Sequence, residues 1–241
     1  NDIQGDSLWI SLGKNEKVLY ENGNLLSKGS DGKFSEYKGD QAKIDKKTGA
    51  IKGYKGFLGQ VVSALNTLSS KCVGYDLVTS IQQSTSNLSI EKSTDNGYDP
   101  NSKTVLFNPN SGYGDINSRG STNRPSFIGL GHEMAHGLDD INGTLNTSLV
   151  PGYSSIREGE KFATHIENQL RNEHNLPLRT HYRVLNSEGG VIESMPLLNG
   201  AIKSAHYPNF YYGGFNSVIS PAPVVINNAQ IVPSVFINIQ E

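Results

Sequence analysis

Apolar residues recur at two periods along the chain, and the change of period divides it. Up to residue 54 the alternation is brief and close to two. Residues 7–13, 17–26 and 31–40 read as short strands broken by the turn pairs Asn22-Gly23 and Asp31-Gly32. From residue 56 the period lengthens. Phe57, Leu58, Val61, Val62, Leu65 and Leu68 fall at helical spacing and predict a helix over 56–70, with a second, shorter one over 74–84. Strands return at 87–93 and 103–109, separated by a turn-rich stretch around Asn96-Gly97 and Asp99-Pro100. Residues 109–124 form a polar, glycine-rich loop.

Past this loop two long helices are predicted. The first begins at Pro125-Ser126, suited to a helix N-terminus, and ends at Asn142-Gly143, suited to a C-terminus. Phe127, Ile128, Leu130, Met134, Ala135 and Leu138 give it a core-facing surface. The second covers 154–175 and stops before Leu176-Pro177. Residues 186–241 turn back to Gly, Pro, Asn and β-branched residues, with extended segments at 220–228 and 231–239 and no role assigned. Strands and helices mix without strand–helix–strand alternation, so the expected class is α+β. The texture separates a strand- and turn-rich N-terminal extension, 1–54, from a domain at 55–241.

Composition narrows the function. The chain has 241 residues, 35% hydrophobic, with 26 glycines, which fits one loop-rich domain with a modest core. Lys and Arg number 21 against 23 Asp and Glu, a net charge of -2. That leaves no basic excess for nucleic acid or an anionic membrane. No apolar run approaches the ~18 residues of a membrane span. The single cysteine, Cys72, excludes an internal disulfide and a cysteine-based zinc site, and reads as a small semi-buried apolar residue. The start, Asn1 to Gly5, has neither an initiator Met nor a signal segment, and reads as a processed piece of something longer.

The candidate chemistry lies in His132-Glu133-Met134-Ala135-His136, an H-E-x-x-H motif inside the first long helix. Residues four apart share a helix face, so two imidazoles can ligate one zinc ion. Glu133 points about 100° away around the helix, suited to a carboxylate beside the zinc-activated water rather than on the metal. It would take the water's proton and later give it to the leaving amine. With 6 histidines in the chain, chance occurrence of the motif is below about one in a hundred. Gly131 and Gly137 flank it, which signals either close approach by another segment or merely a weak helix.

A catalytic zinc needs a third protein ligand. The residue six after His136 is Asn142, so no third histidine follows at the H-x-x-G-x-x-H spacing. The aspartate-ligand class needs Asp where this chain has Asn146. Asp139 is too short to share the ion. Either Asp139 or Asp140 could orient a histidine, or both are ordinary carboxylates at a helix end. The next helix offers Glu158, Glu160 and Glu167. Phe162, Ile166 and Leu170 mark its core side, small Ala163 permits close approach, and Glu160 is the preferred ligand of a His-His-Glu set. Glu158 sits at the helix start, where a carboxylate is favoured by the dipole alone. Glu167 is expected to pair with Arg171 or Arg179. Thermolysin-type enzymes carry an Asp four residues after the ligand glutamate; here that position is Thr164, so whatever orients the histidines must differ.

The H-E-x-x-H motif, then Glu167-Asn168-x-x-Arg171, then Pro177-x-Arg179-x-x-Tyr182, resembles the NleD-like effector zinc metallopeptidases. The same pattern occurs in C-terminal toxin domains of Rhs-type polymorphic toxins. The resemblance spans roughly 15–185 and is most specific over 127–182. One departure is that a Glu-Glu pair common in the family is split here as Glu158-Gly159-Glu160. The resemblance implies a zincin-like fold: a small mixed sheet, an active-site helix and a second helix bearing the glutamate. It implies a zinc endopeptidase secreted or injected as a toxin or effector, a protein substrate in a target cell and a cognate immunity protein as partner. Through the P-x-R-x-x-Y match Tyr182 becomes the candidate oxyanion stabiliser, with plain packing as the alternative. A second reading is a catalytically inactive zincin-like binding domain; the intact Glu133 favours the enzyme.

Other residues carry weaker expectations. Arg179 meets either substrate or carboxylates. His206, Tyr211 and Tyr212 line a cleft or pack in the core. His165, His174 and His181 are helix-surface or capping residues. The 103–109 strand is either the sheet edge that aligns an extended peptide or a plain strand.

Overall fold

A computed structural model describes residues 8–13 and 16–213. The extended segments expected at 220–228 and 231–239 lie outside them. Six strands come first: β1 (Leu8–Gly13), β2 (Glu16–Glu21), β3 (Asn24–Lys28), β4 (Phe34–Glu36), β5 (Ala42–Ile44) and β6 (Ile51–Tyr54). Helices α1 (Gly56–Ser69) and α2 (Cys72–Gln82) follow, then β7 (Leu88–Lys92), β8 (Gly97–Asp99) and β9 (Thr104–Phe107). The long helices are α3 (Ser126–Ile141) and α4 (Gly159–Glu173). A hairpin, β10 (His181–Leu185) and β11 (Val191–Pro196), and a small pair, β12 (Leu198–Asn199) and β13 (Lys203–Ser204), come last.

The main sheet runs β4-β3-β2-β1-β7-β9-β8. Its β1–β4 half is an antiparallel meander, and β1, β7 and β9 are parallel. The expected turn at Asn22-Gly23 is a two-residue loop between Glu21 and Asn24, with positive φ at both residues (50° and 85°), as a type I′ hairpin requires. The mixed sheet and four helices agree with the α+β expectation.

The texture break at residue 54 is not a break in packing. β1 lies beside β7, Leu8 opposite Leu88, and Leu8, Ile10, Val18, Tyr20 and Leu25 share one apolar core with Leu130, Met134 and Leu138 of α3. Burying one sheet face on α1–α3 recruits strands from both sides of the sequence boundary. The stretch read as turns around Asn96-Gly97 contains edge strand β8. β9 therefore sits inside the sheet, between β7 and β8, and is a plain strand rather than the edge. Cys72 is exposed at the start of α2, not semi-buried.

The second long helix starts five residues later than its pattern suggests. The carboxylate of Glu193 on β11 accepts from the Ser154 and Ser155 backbone N–H groups and the Ser154 hydroxyl. Ile156 is buried in a second, small cluster with Val150, Met195 and Leu197. Those contacts hold 154–158 as a loop, and α4 begins at Gly159. At its other end His174 is the C-cap, and Asn175 takes the left-handed conformation (φ 56°) that closes many helices.

Candidate metal centre and its charged support

Two glycines set how closely α3 is packed. A Cβ on Gly131 would come 2.5 Å from Leu170 Cδ1 of α4 and 3.2 Å from Leu68 Cδ2 of α1. A Cβ on Gly137 would come 2.8 Å from Leu88 Cδ1 of β7. Close approach is therefore the reason for both glycines. It leaves His132, Glu133 and His136 on the remaining face, toward α4, each less than a tenth exposed.

Glu160 lies in the first turn of α4. Its Oε2 is buried without a hydrogen-bond partner, 3.4 Å from Nε2 of His132 and 3.5 Å from Nε2 of His136. The two imidazole rings stand 5.0 Å apart at 81°. Ligand atoms of His132, Glu133 and His136 all lie within 4.8 Å of one another. Two imidazole nitrogens and a buried carboxylate oxygen converging on one point make a donor set fit for a divalent cation. The same field holds a proton. Burial alone would lower the His132 pKa, but Glu160 and Glu167 outweigh it and raise it to about 9. Burial pushes Glu160 up, and the two histidines overcome it and draw it well below the carboxylate range. Burial raises the Glu133 carboxyl, with His132 and His136 opposing.

Glu158 is elsewhere, paired with Lys161 at 2.7 Å. Asp139 bonds the Thr144 hydroxyl, and Asp140 takes Tyr98 and Lys103, so neither is hydrogen-bonded to a histidine. The carboxylate that stands beside a histidine here is Glu167, whose Oε2 is 3.0 Å from Nδ1 of His132. Glu160 and Glu167 lie seven residues apart on one face of α4, about 10.5 Å along the axis, and the His132 ring spans the gap between them. Spacing placed the two glutamates on one face; it held no sign that a ring from another helix would lie between them.

Glu167 is fully buried and also accepts from Arg171 Nε (2.8 Å) and Arg179 Nη1 (3.0 Å). Both expected arginine pairings are thus present. Burial would raise its pKa, yet Arg179, His132 and Arg171 together hold it well below the usual range. Arg179 also meets Asp115, which takes Arg183 as well. The Asn168 amide pairs with the backbone of Arg179 in both directions, at 2.7 and 2.9 Å. The E-N-x-x-R and P-x-R elements are therefore one buried charge network, and Arg179 is spent on carboxylates.

Tyr182 on β10 stands with its ring 4.8 Å from the Arg179 guanidinium carbon. Its phenol is within hydrogen-bonding reach of Glu160; burial and the Glu160 and Glu133 charges raise its pKa, so it stays protonated. His165 is buried rather than on the helix surface. It stacks on Tyr207 at 4.0 Å, and its Nδ1 meets the Tyr212 hydroxyl at 2.6 Å. Tyr212 packs in the core, while Tyr211 is half-exposed.

Fold and residues together define an α+β protein with a potential metal-binding His/Glu group. Residues 45–164, about half of the chain, match the family model Peptidase_M91, described as effector protein, and the chain belongs to this NleD-like effector family. The matched stretch runs from the turn before β6 through α3 to the first turns of α4 and so contains His132, Glu133, His136 and Glu160. No curated protein and no solved structure gives a match. Among the described residues no helix is long and apolar enough to cross a membrane.

Proposed function

We propose that the chain is a zinc-dependent endopeptidase of zincin-like fold, acting as a toxin or effector delivered into a target cell. His132, His136 and Glu160 would hold the zinc. The carrying observation is the lone Glu160 Oε2, buried without a donor and nearly equidistant from two imidazole Nε2 atoms. When bound, the ion would supply Lewis acidity to a water and to the scissile carbonyl. Glu133 is the general base: raised by burial and set beside the histidines, it takes the attacking water's proton and returns it to the leaving amine. Tyr182, kept protonated, donates its phenolic O–H to the developing oxyanion. Glu167 Oε2 stands 3.0 Å from His132 Nδ1, a charge contact that keeps the other ring nitrogen, Nε2, toward the ligand position. Delivery into cells, a protein substrate there and a cognate immunity protein follow from the family reading.

The test is inducible expression in a susceptible cell together with elemental analysis of the purified chain. The expected result is toxicity with one zinc per chain, and a Glu133→Gln variant that keeps the zinc and loses the toxicity. A metal-free wild-type chain after metal-replete expression overturns the zinc assignment. Undiminished toxicity of Glu133→Gln overturns the role of the base.

A further inference from the structure

Gly129 lies three, four and seven residues before His132, Glu133 and His136, so it shares their helix face, one turn toward the N-terminus of α3. Side chains from outside the helix fill the room it leaves. A Cβ there would fall 2.7 Å from Asn96 Nδ2 and 3.4 Å from both Cζ and Nη2 of Arg124. Arg124 arrives from the loop that precedes α3, its own chain pressed against Gly114, whose Cβ would lie 2.7 Å from that of Arg124. The guanidinium acts on the Glu133 charge.

Among the described residues neither nitrogen group has a protein acceptor. Asn96 gives its Oδ1 to the Asn108 N–H, which leaves Nδ2 buried and unpartnered. Arg124 Nε is also buried without a partner, and among the described residues its guanidinium makes no ion pair. The contrast with the arginines of the buried charge network is plain. Arg171, Arg179 and Arg183 are bonded to Glu167 or Asp115, whereas among the described residues Arg124 has no such carboxylate. Two side chains that offer only donors there call for a ligand that brings acceptors. Arginine's planar fork matches a carboxylate in two parallel hydrogen bonds. Unsatisfied buried donors are costly, so a site that leaves them unpaired discriminates strongly against substrates lacking the acceptor.

We propose that Arg124, backed by Asn96 over Gly129, forms a substrate subsite that selects an acidic side chain close to the scissile bond. This rests on the peptidase reading of the neighbouring centre. The occupant is a Glu or Asp within the substrate chain; a free C-terminal carboxylate has the same chemistry and is separated by the test.

The experiment uses the full, metal-replete chain and a positional-scanning library of quenched fluorogenic peptides, acetylated and amidated at their ends. The readout is the Glu-over-Gln ratio of kcat/KM at each position. The wild type is expected to favour Glu at least 10-fold at one position. Arg124→Gln should bring that ratio below about 3, Arg124→Lys should restore part of it, and Arg124→Glu should turn the preference toward Lys. Ratios cancel any loss of folded protein, and thermal melts identify a variant that has not folded. An unchanged ratio in Arg124→Gln, or no acidic preference in the wild type, overturns the proposal. So does a preference that appears only in peptides with a free C-terminus. If the wild type cleaves nothing, the peptidase reading fails separately. Binding of Glu and Gln peptides to the wild-type chain, measured by fluorescence anisotropy, then decides the subsite. Binding that requires Glu and is lost in Arg124→Gln upholds it, and indifference to Glu overturns it.

Discussion

The two sides of α3 are built by opposite means. One side packs into the apolar core, where Leu130, Met134 and Leu138 meet α1, α2 and the sheet, and where glycines trade side chains for closeness. The other faces α4 across a seam of polar and charged groups: His132, His136, Glu160, Glu167, Arg171 and Arg179. α4 takes part in both, since Leu170 fills the space over Gly131 while Glu160 and Glu167 reach the histidines. The comparison teaches that position and chemistry are separable here. Apolar packing sets the distance between the helices, and the charged groups set what can sit between them.

Substitutions can break that separation in order of effect. The largest is expected at the ligand position. Glu160→Ala should remove measurable metal binding and activity, whereas Glu158→Ala, which loses only the contact with Lys161, should retain both; metal content after dialysis decides. Metal kept by the first variant and lost by the second would show that α4 is read two residues out of register. Next, Glu167→Ala leaves Arg171 and Arg179 buried without their shared carboxylate and should cost about 3–5 kcal/mol in urea unfolding.

On the apolar side, Leu170→Ala should cost about 2–5 kcal/mol of stability while metal affinity in the folded protein stays close to wild type. A parallel collapse of affinity would mean that packing and ligation are not separable. Glu167→Gln sharpens the same point from the polar side. It keeps the shape, weakens the hold on His132 Nδ1, and should lower metal affinity about 10–100-fold in a chelator competition.

The smallest effect is a pH dependence away from the metal. Burial lowers the His165 pKa to about 4, below its unfolded value of 6.5. The unfolded chain therefore binds more protons between those values, and stability is lost as pH falls from 6.5 toward 4. His165→Asn keeps an acceptor for the Tyr212 hydroxyl but does not titrate. Between pH 7 and 5 its stability should fall by about 1–2 kcal/mol less than that of the wild type. Equal slopes would mean that the ring is already charged in the fold.

Much of this was legible in the sequence, and the rest was not, for identifiable reasons. Periodicity located α1, α2, α3 and most of α4 because each buries a stripe at helical spacing. Asn22-Gly23 declared its hairpin because only that backbone geometry suits the pair. The H-E-x-x-H spacing put both histidines on one face of α3, with Glu133 beside them, since four residues make about one turn. The start of α4 was hidden because Glu193, nearly forty residues downstream, holds the Ser154 and Ser155 amides. β8 was hidden because three residues of an edge strand carry no alternation of their own.

Spacing fixes angles around one helix, and it stops there. Which carboxylate met which histidine was decided between helices. Glu160 and Glu167 took opposite edges of the His132 ring, while Asp139, closer in sequence, turned to Thr144. Arg124 and Asn96 came to the His132–His136 side of α3 only because Gly129 left room for them. A buried charge chooses its partner by distance in three dimensions, within a few ångströms, and a one-dimensional pattern has no measure of that distance.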